Sequence, residues 1–177
     1  MSRRILLLRG VNVGGANRLP MADFRALLAG LGLGNPRTLI ASGNAVFDAP
    51  DQPDLDLADR IAAALATRFG FRPDLFLYPP QTFATILAAN PFGPEAETDG
   101  AKVHAYFLAA PTTLDTDKTA ALATTERWPL TPATLYLHTP DGLGRSKLAE
   151  RLPRLLNTPS TARNWNTVTA LANLAAT

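Results

Sequence analysis

The chain has 177 residues, 46% of them hydrophobic and 18% charged, with a formal net charge of +2. That length suits one compact domain or two small subdomains with a real core. The near-neutral charge argues against a strongly electrostatic polyanion binder, and the absence of cysteine excludes disulfides and thiolate metal sites.

The first residues are Met-Ser-Arg-Arg, followed by a short apolar run that meets a glycine. The run is too short for a signal peptide or a membrane span, so a cytoplasmic protein with no membrane partner is expected. Arg4–Leu8, apolar from Ile5 onward, predicts a buried central strand. A glycine-bearing loop, Gly10–Pro20, follows, with Pro20 suited to the first turn of a helix. Met21, Phe24, Leu27, Leu28 and Leu31 then share one helical face, and the Gly30–Gly34 region ends that helix. Arg37–Ala41 and Ala45–Asp48 predict two short strands joined by Ser42-Gly43-Asn44 as a tight turn. With the first strand central, that turn is expected at the sheet end away from the first strand's C-terminus. Asp54–Phe69 predicts a second amphipathic helix, and Asp74–Tyr78 a strand stopped by Pro79-Pro80. The order is β-α-β-β-α-β, a split βαβ or ferredoxin-like unit spanning residues 1–80.

Residues 81–101 predict a short helix, Gln81–Ala89, and then a polar linker, Asn90–Gly100. Residues 102–177 predict a second, smaller or degenerate α+β unit. It holds strands at Val103–Ala109 and Ala133–His138, helices at Leu114–Glu126 and Arg145–Leu156, a strand or loop at Thr158–Arg163, and a C-terminal helix from Asn164 to Ala175. Val103, Ala105 and Phe107 share a strand face, and Pro153 is expected to kink its helix or start a new turn. The fold class is therefore α+β in two subdomains.

Four stretches have the chemistry of a site. The loop after the first strand carries Arg9, Asn12, Gly14 and Gly15. Strand-to-helix glycine loops present amides to anions, or simply need positive φ to make the connection. The spacing matches neither the dinucleotide fingerprint nor a P-loop. Ser42 and Asn44 flank the glycine of the predicted turn. Gly144-Arg145-Ser146-Lys147 opens a helix, which suits either a phosphate grip or a serine cap with solvated cations. Arg163, Asn164 and Asn166 surround Trp165, where Trp165 suits the core and Asn164 a helix cap. His104 and His138 stand singly on predicted strands, as satisfied structural residues. No metal-ligand spacing, paired catalytic carboxylates or nucleophile elbow occurs. The acidic runs Asp51–Asp59 and Glu95–Asp99 suit solvated surface.

Four motifs together carry a family resemblance: Arg-Gly-Val-Asn-Val-Gly-Gly at 9–15, Ser-Gly-Asn at 42–44, Gly-Arg-Ser-Lys at 144–147 and Thr-Ala-Arg-Asn-Trp-Asn-Thr at 161–167. Over nearly its whole length the chain resembles the DUF1697 domain family of uncharacterised bacterial proteins. The resemblance implies an α+β fold of two subdomains, at least one ferredoxin-like, and supplies no reaction or cofactor. It marks Arg9, Asn12, Gly14, Gly15, Ser42, Asn44, Arg145, Ser146, Lys147, Arg163, Asn164 and Asn166 as signature positions.

These are donors with almost no acids among them, a composition that suits a phosphate or carboxylate. The expectation is a small phosphorylated or nucleotide-like ligand, bound in a cleft between subdomains where the four motifs converge. A general base is not evident. Ser42 or Ser146 would need one to act as a nucleophile, with Lys147 the sole candidate. Nucleic-acid binding fits less well. An RNA-binding sheet displays aromatics, whereas Phe47, Phe76, Tyr78, Tyr106 and Phe107 are needed mostly for the core. A non-catalytic regulatory or structural module, dimerising through sheet edges, is the third alternative.

Overall fold

The computed structural model describes residues 1–177. They form seven strands in two sheets and seven α-helices. Two compact units result: residues 1–85 with 170–177, and residues 86–169.

The first unit is built on β1 (Ser2–Leu8). All four residues from Ile5 to Leu8 are buried, as a continuous apolar run requires of a central strand. The strand is followed by α1 (Met21–Gly30), β2 (Gly34–Leu39), β3 (Asn44–Ala49), α2 (Asp54–Phe69) and β4 (Leu75–Tyr78). The sheet order is β2-β3-β1-β4 with every neighbouring pair antiparallel. Phe24, Leu27 and Leu28 of α1 and Leu57, Ile61 and Leu65 of α2 pack on Leu6, Leu8 and Phe47. Met21 and Leu31 join that cluster from its margin. Gly70, left-handed at φ 76, ends α2 with its amide on the Ala66 carbonyl. Arg3 pairs with Asp48 at 2.6 Å and Arg4 with Asp54 at 2.7 Å, pinning the first strand's polar end.

The antiparallel register corrects one expectation. Leu7 pairs with Asn44, and the Leu8 amide donates to the Gly43 carbonyl at 2.9 Å. The β2–β3 turn therefore lies at the C-terminal end of β1, beside the glycine loop. An antiparallel partner must begin where the central strand ends. The strand before this turn also stops early. Ile40 takes φ 48, a left-handed conformation rare for a β-branched residue, and the turn occupies residues 40–43.

After α3 (Pro80–Ala88), the stretch expected as a linker contains α4 (Gly93–Asp99) and a single 3-10 turn, Gly100–Lys102. Pro94 sits in the first turn of α4, where a missing amide costs nothing. Pro94 thus serves a helix start within the stretch expected as a linker.

The second sheet has the order β6-β5-β7, with β5 (Val103–Leu108) between β6 (Thr134–His138) and β7 (Ser160–Asn164), both antiparallel to it. Between β5 and β6 lies α5 (Thr116–Leu122), shorter than expected. Residues 127–131 instead run along the outer edge of β6. Arg127 and His138 exchange both backbone bonds, and the Tyr136 amide reaches Pro129. After β6 comes α6 (Lys147–Leu155), which retains Pro153 inside it. The chain ends in α7 (Trp165–Ala176).

All six residues of β5 are buried, so both faces of this sheet are covered. Register puts His104, Tyr106 and Leu108 on one face with Leu135, Leu137, Ala162 and Asn164. Leu148, Ala149 and Leu152 from α6, and Leu156 just after it, pack on that face. On the other face the Tyr136 hydroxyl donates to the Ile86 carbonyl at 2.6 Å, and its ring lies 6.4 Å from Trp165. His138 packs against Phe92 at 5.6 Å and meets Arg127 at 3.2 Å, while Arg127 also pairs with Glu95.

His104 departs from the satisfied residue expected. It is 5% exposed and its Nδ1 has no partner. Burial disfavours its charged form and lowers its pKa to about 4. The unfolded chain then binds a proton that the folded chain refuses. Stability is complete above pH 6.5 and falls as pH drops from 6.5 towards 4. Urea titrations across that window are expected to show a slope in the wild type that His104→Leu flattens.

Candidate functional site

Among the twelve signature residues, some build backbone turns or pack within the fold, and Arg145, Ser146 and Lys147 line a hollow.

In the first unit the glycine loop is a miniature hairpin. The Asn12 amide donates to Asn17 at 3.1 Å and the Ala16 amide to Val13 at 3.0 Å. Gly14 and Gly15 form its tip with φ of 58 and 79, the two consecutive positive values that a primed turn demands. The Asn12 carboxamide is fully used. Its Nδ2 donates to the Leu19 carbonyl at 2.9 Å and the Ala41 carbonyl at 2.8 Å, and its Oδ1 accepts the Leu19 amide at 2.8 Å. It ties the glycine loop to the β2–β3 turn. Asn17 reinforces the loop by donating to the Gly10 carbonyl at 2.9 Å. Arg9 pairs with Asp74 at 3.0 Å.

Asn44 is fully buried and donates to the Leu39 carbonyl at 3.1 Å and to Ser42 Oγ at 2.8 Å. The first two motifs therefore do meet, through backbone-directed hydrogen bonds that shape two turns.

The fourth motif is also occupied with structure. Arg163 lies opposite Ala105, on the sheet face away from Tyr106. It is 9% exposed and donates to Thr161 Oγ1 and to the Ala162 carbonyl, each at 2.8 Å. Burial lowers its pKa to about 10, which leaves it charged at neutral pH. Asn164 Oδ1 accepts the Thr167 amide at 3.0 Å, the capping role expected of it. Asn166 lies so close to Gly100 that a Cβ there would stand 2.2 Å from its Oδ1.

The third motif lines a hollow. A cleft of about 490 Å³ opens in the second unit at the start of α6. Its lining includes Tyr106, Leu143, Arg145, Ser146, Lys147 and Glu150. A short 3-10 turn, Leu143–Arg145, delivers the chain to Ser146, which caps α6. Ser146 Oγ accepts the Ala149 amide at 3.0 Å, and its carbonyl accepts the Glu150 amide at 3.2 Å. The amides of Lys147 and Leu148 precede those bonds and have no acceptor in the chain. Arg145 and Lys147 are exposed and form no ion pair.

Tyr106 reaches this cleft from the sheet. It is 5% exposed and its side chain lines the hollow. Burial pushes its pKa up to about 12, so the phenol stays a neutral donor. Sequence reasoning placed Tyr106 in the core. The available signal was a hydroxyl on a strand face that packs against the leucines of α6.

Sequence reasoning also passed over two acids. Burial alone would raise the Glu126 pKa, but Ser146 and the Thr124 and Thr125 amides outweigh it and hold the carboxylate at about 2. At that value it is a poor general base near neutrality, so Ser146 is a helix cap rather than an activated nucleophile. Glu150 sits on the cleft wall, 3.9 Å from Arg151.

A larger hollow of about 660 Å³ lies in the first unit between α2 and residues 72–75. Its Arg72 is paired with Asp59, and its Asp74 with Arg9. It holds none of the signature residues. No group of acidic or histidine side chains is arranged to hold a metal ion. Phe47, Phe76, Tyr106 and Phe107 are buried, so neither sheet displays them for base stacking. No helix is long and apolar enough to cross a membrane.

The profile of the DUF1697 family, described as a protein of unknown function, matches residues 1–136. The conserved bacterial protein SP0830 from Streptococcus pneumoniae has a similar structure. It is 24% identical, with 98% of each chain covered and a TM-score of 0.74, a likeness of fold. No curated protein matches the sequence.

Proposed function

The chain belongs to the DUF1697 family, and we propose that this member binds a small anionic ligand, a phosphomonoester or carboxylate, in the cleft at the start of α6. One observation carries the reading. Two cations without an ion pair, Arg145 and Lys147, line the same hollow as the first residues of α6 and the buried side chain of Tyr106. The positive end of a helix favours an anion by about 0.3–1 kcal/mol. Charge-assisted hydrogen bonds add about 1.5–3 kcal/mol each. Tyr106 supplies a third kind of donor from the cleft floor.

The remaining signature residues support this reading indirectly. Asn12, Asn44 and Asn164 each have a structural task, whereas Arg145 and Lys147 are exposed and form no ion pair. The first unit fits a ferredoxin-like assignment, because its element order is βαββαβ and its sheet order β2-β3-β1-β4. A cytoplasmic location belongs to the same proposal, since phosphomonoesters are made and retained inside cells.

Thermal unfolding with inorganic phosphate and phosphomonoesters tests the site. Ligand at a hundred times its dissociation constant adds about 2.7 kcal/mol of stability. The double variant Arg145→Ala/Lys147→Ala is expected to melt within a degree of the wild type without ligand, because both side chains are exposed and unpaired. It should lose the ligand-induced rise. A rise of equal size in the double variant would contradict the proposal.

A further inference from the structure

We infer that the cleft at the start of α6 selects the phosphomonoester of a polyol or sugar over inorganic phosphate and over a nucleotide. The inference rests on the anion-binding reading above and adds the identity of the ligand's body. Three features of the cleft define that body.

The first is size. A hollow of about 490 Å³ is far larger than one phosphate group and falls in the range of about 300–1,000 Å³ typical of small-molecule sites. The anion at the helix start fills only one end, and the ligand carries further atoms into the rest.

The second is the acid on the wall. Glu150 follows Ser146 by one helical turn and lines the same cleft as Arg145 and Lys147. An ionised carboxylate is an acceptor only. It repels a second anionic group and accepts hydroxyl protons. A body rich in hydroxyls satisfies it, whereas a diphosphate or dicarboxylate does not.

The third is the lack of a stacking platform. Tyr106 is the one aromatic residue in the lining, and 5% exposure leaves no ring face for a base. Base stacking on an aromatic is worth about 1–3 kcal/mol where it occurs, and this cleft forgoes it. Leu143, 39% exposed at the mouth, offers instead a small apolar surface for the C–H face of a sugar.

Isothermal titration separates the two levels of the proposal. The probes are inorganic phosphate, glycerol 3-phosphate, glucose 6-phosphate and adenosine monophosphate, each titrated into the wild type and Glu150→Ala. The expected result has two parts. Glycerol 3-phosphate or glucose 6-phosphate binds the wild type at least tenfold more tightly than phosphate. Glu150→Ala abolishes that advantage while leaving phosphate affinity equal or slightly improved. Glu150 is a surface side chain, so the variant folds; its unliganded melting temperature verifies this. If phosphate binds and neither polyol ester binds more tightly, or if the nucleotide binds most tightly, the ligand identity is wrong and the anion site stands. If no probe binds, the anion site falls and the inference falls with it.

Discussion

Gly43→Ala is expected to cost about 2–5 kcal/mol of stability. Gly43 sits at φ +75, where an L side chain costs about 1–2 kcal/mol. The new Cβ would also stand 2.6 Å from Val11 Cγ2 and 2.7 Å from Leu8 Cβ. Neither neighbour can retreat, because Val11 is 3% and Leu8 1% exposed within the core. Overpacking of that kind adds about 1–3 kcal/mol. Gly14→Ala is the control. Its φ is +58 and its Cβ would meet nothing within 4 Å, so only the backbone cost of about 1–2 kcal/mol applies. Urea unfolding of the two variants measures the difference. Equal losses would show that Gly43 is not held by the contact between the glycine loop and the turn.

Asn12→Ala is expected to cost about 2–3 kcal/mol and to leave anion affinity unchanged within twofold. Asn12 takes φ 55, which asparagine tolerates better than alanine. Its carboxamide makes three hydrogen bonds to backbone groups, at 2.9, 2.8 and 2.8 Å. Each is worth about 0.5–1.5 kcal/mol net, toward the low end at this exposed position. Asn12→Asp retains the acceptor for the Leu19 amide and places a carboxylate against two carbonyl oxygens. It should lose as much stability as the alanine variant. Chemical denaturation gives the stability of each, and phosphate titration gives its affinity. A stable Asn12→Ala variant that had lost its anion would instead make Asn12 a ligand-binding residue.

These two residues show what was legible in the sequence and what was not. The continuous apolar run of β1 and the 3.6-residue spacing of Phe24, Leu27 and Leu28 state their own periods, and the first unit follows from them. Gly43 announced a turn but not its location, because strand direction is set by pairing that no local pattern encodes. The segment Asn90–Gly100 looked like a linker because its prolines and glycines are turn residues in sequence, although Pro94 is equally suited to a helix start. Asn12 looked like a ligand donor because its type says nothing of its partners, Leu19 and Ala41, which only folding brings within reach. Among the signature residues, Arg145 and Lys147 were recognisable as unpaired cations beside a helix start. Tyr106 was not, because an alternating strand gives a buried phenol and a buried leucine the same signature. Glu150 was hidden for the opposite reason, since one acid on a polar helix face looks like solvated surface.

The central claim is that the anion is taken at the start of α6 and not at the glycine loop, although both present backbone amides beside arginine. Amide chemical shifts followed during titration with glycerol 3-phosphate discriminate between them directly. The largest movements are expected at Lys147 and Leu148, with smaller ones at Gly144 and Arg145 and none above background from Gly10 to Ala16. Movements concentrated at Gly14 and Gly15, with Lys147 and Leu148 unmoved, would contradict the claim and return the site to the loop after β1.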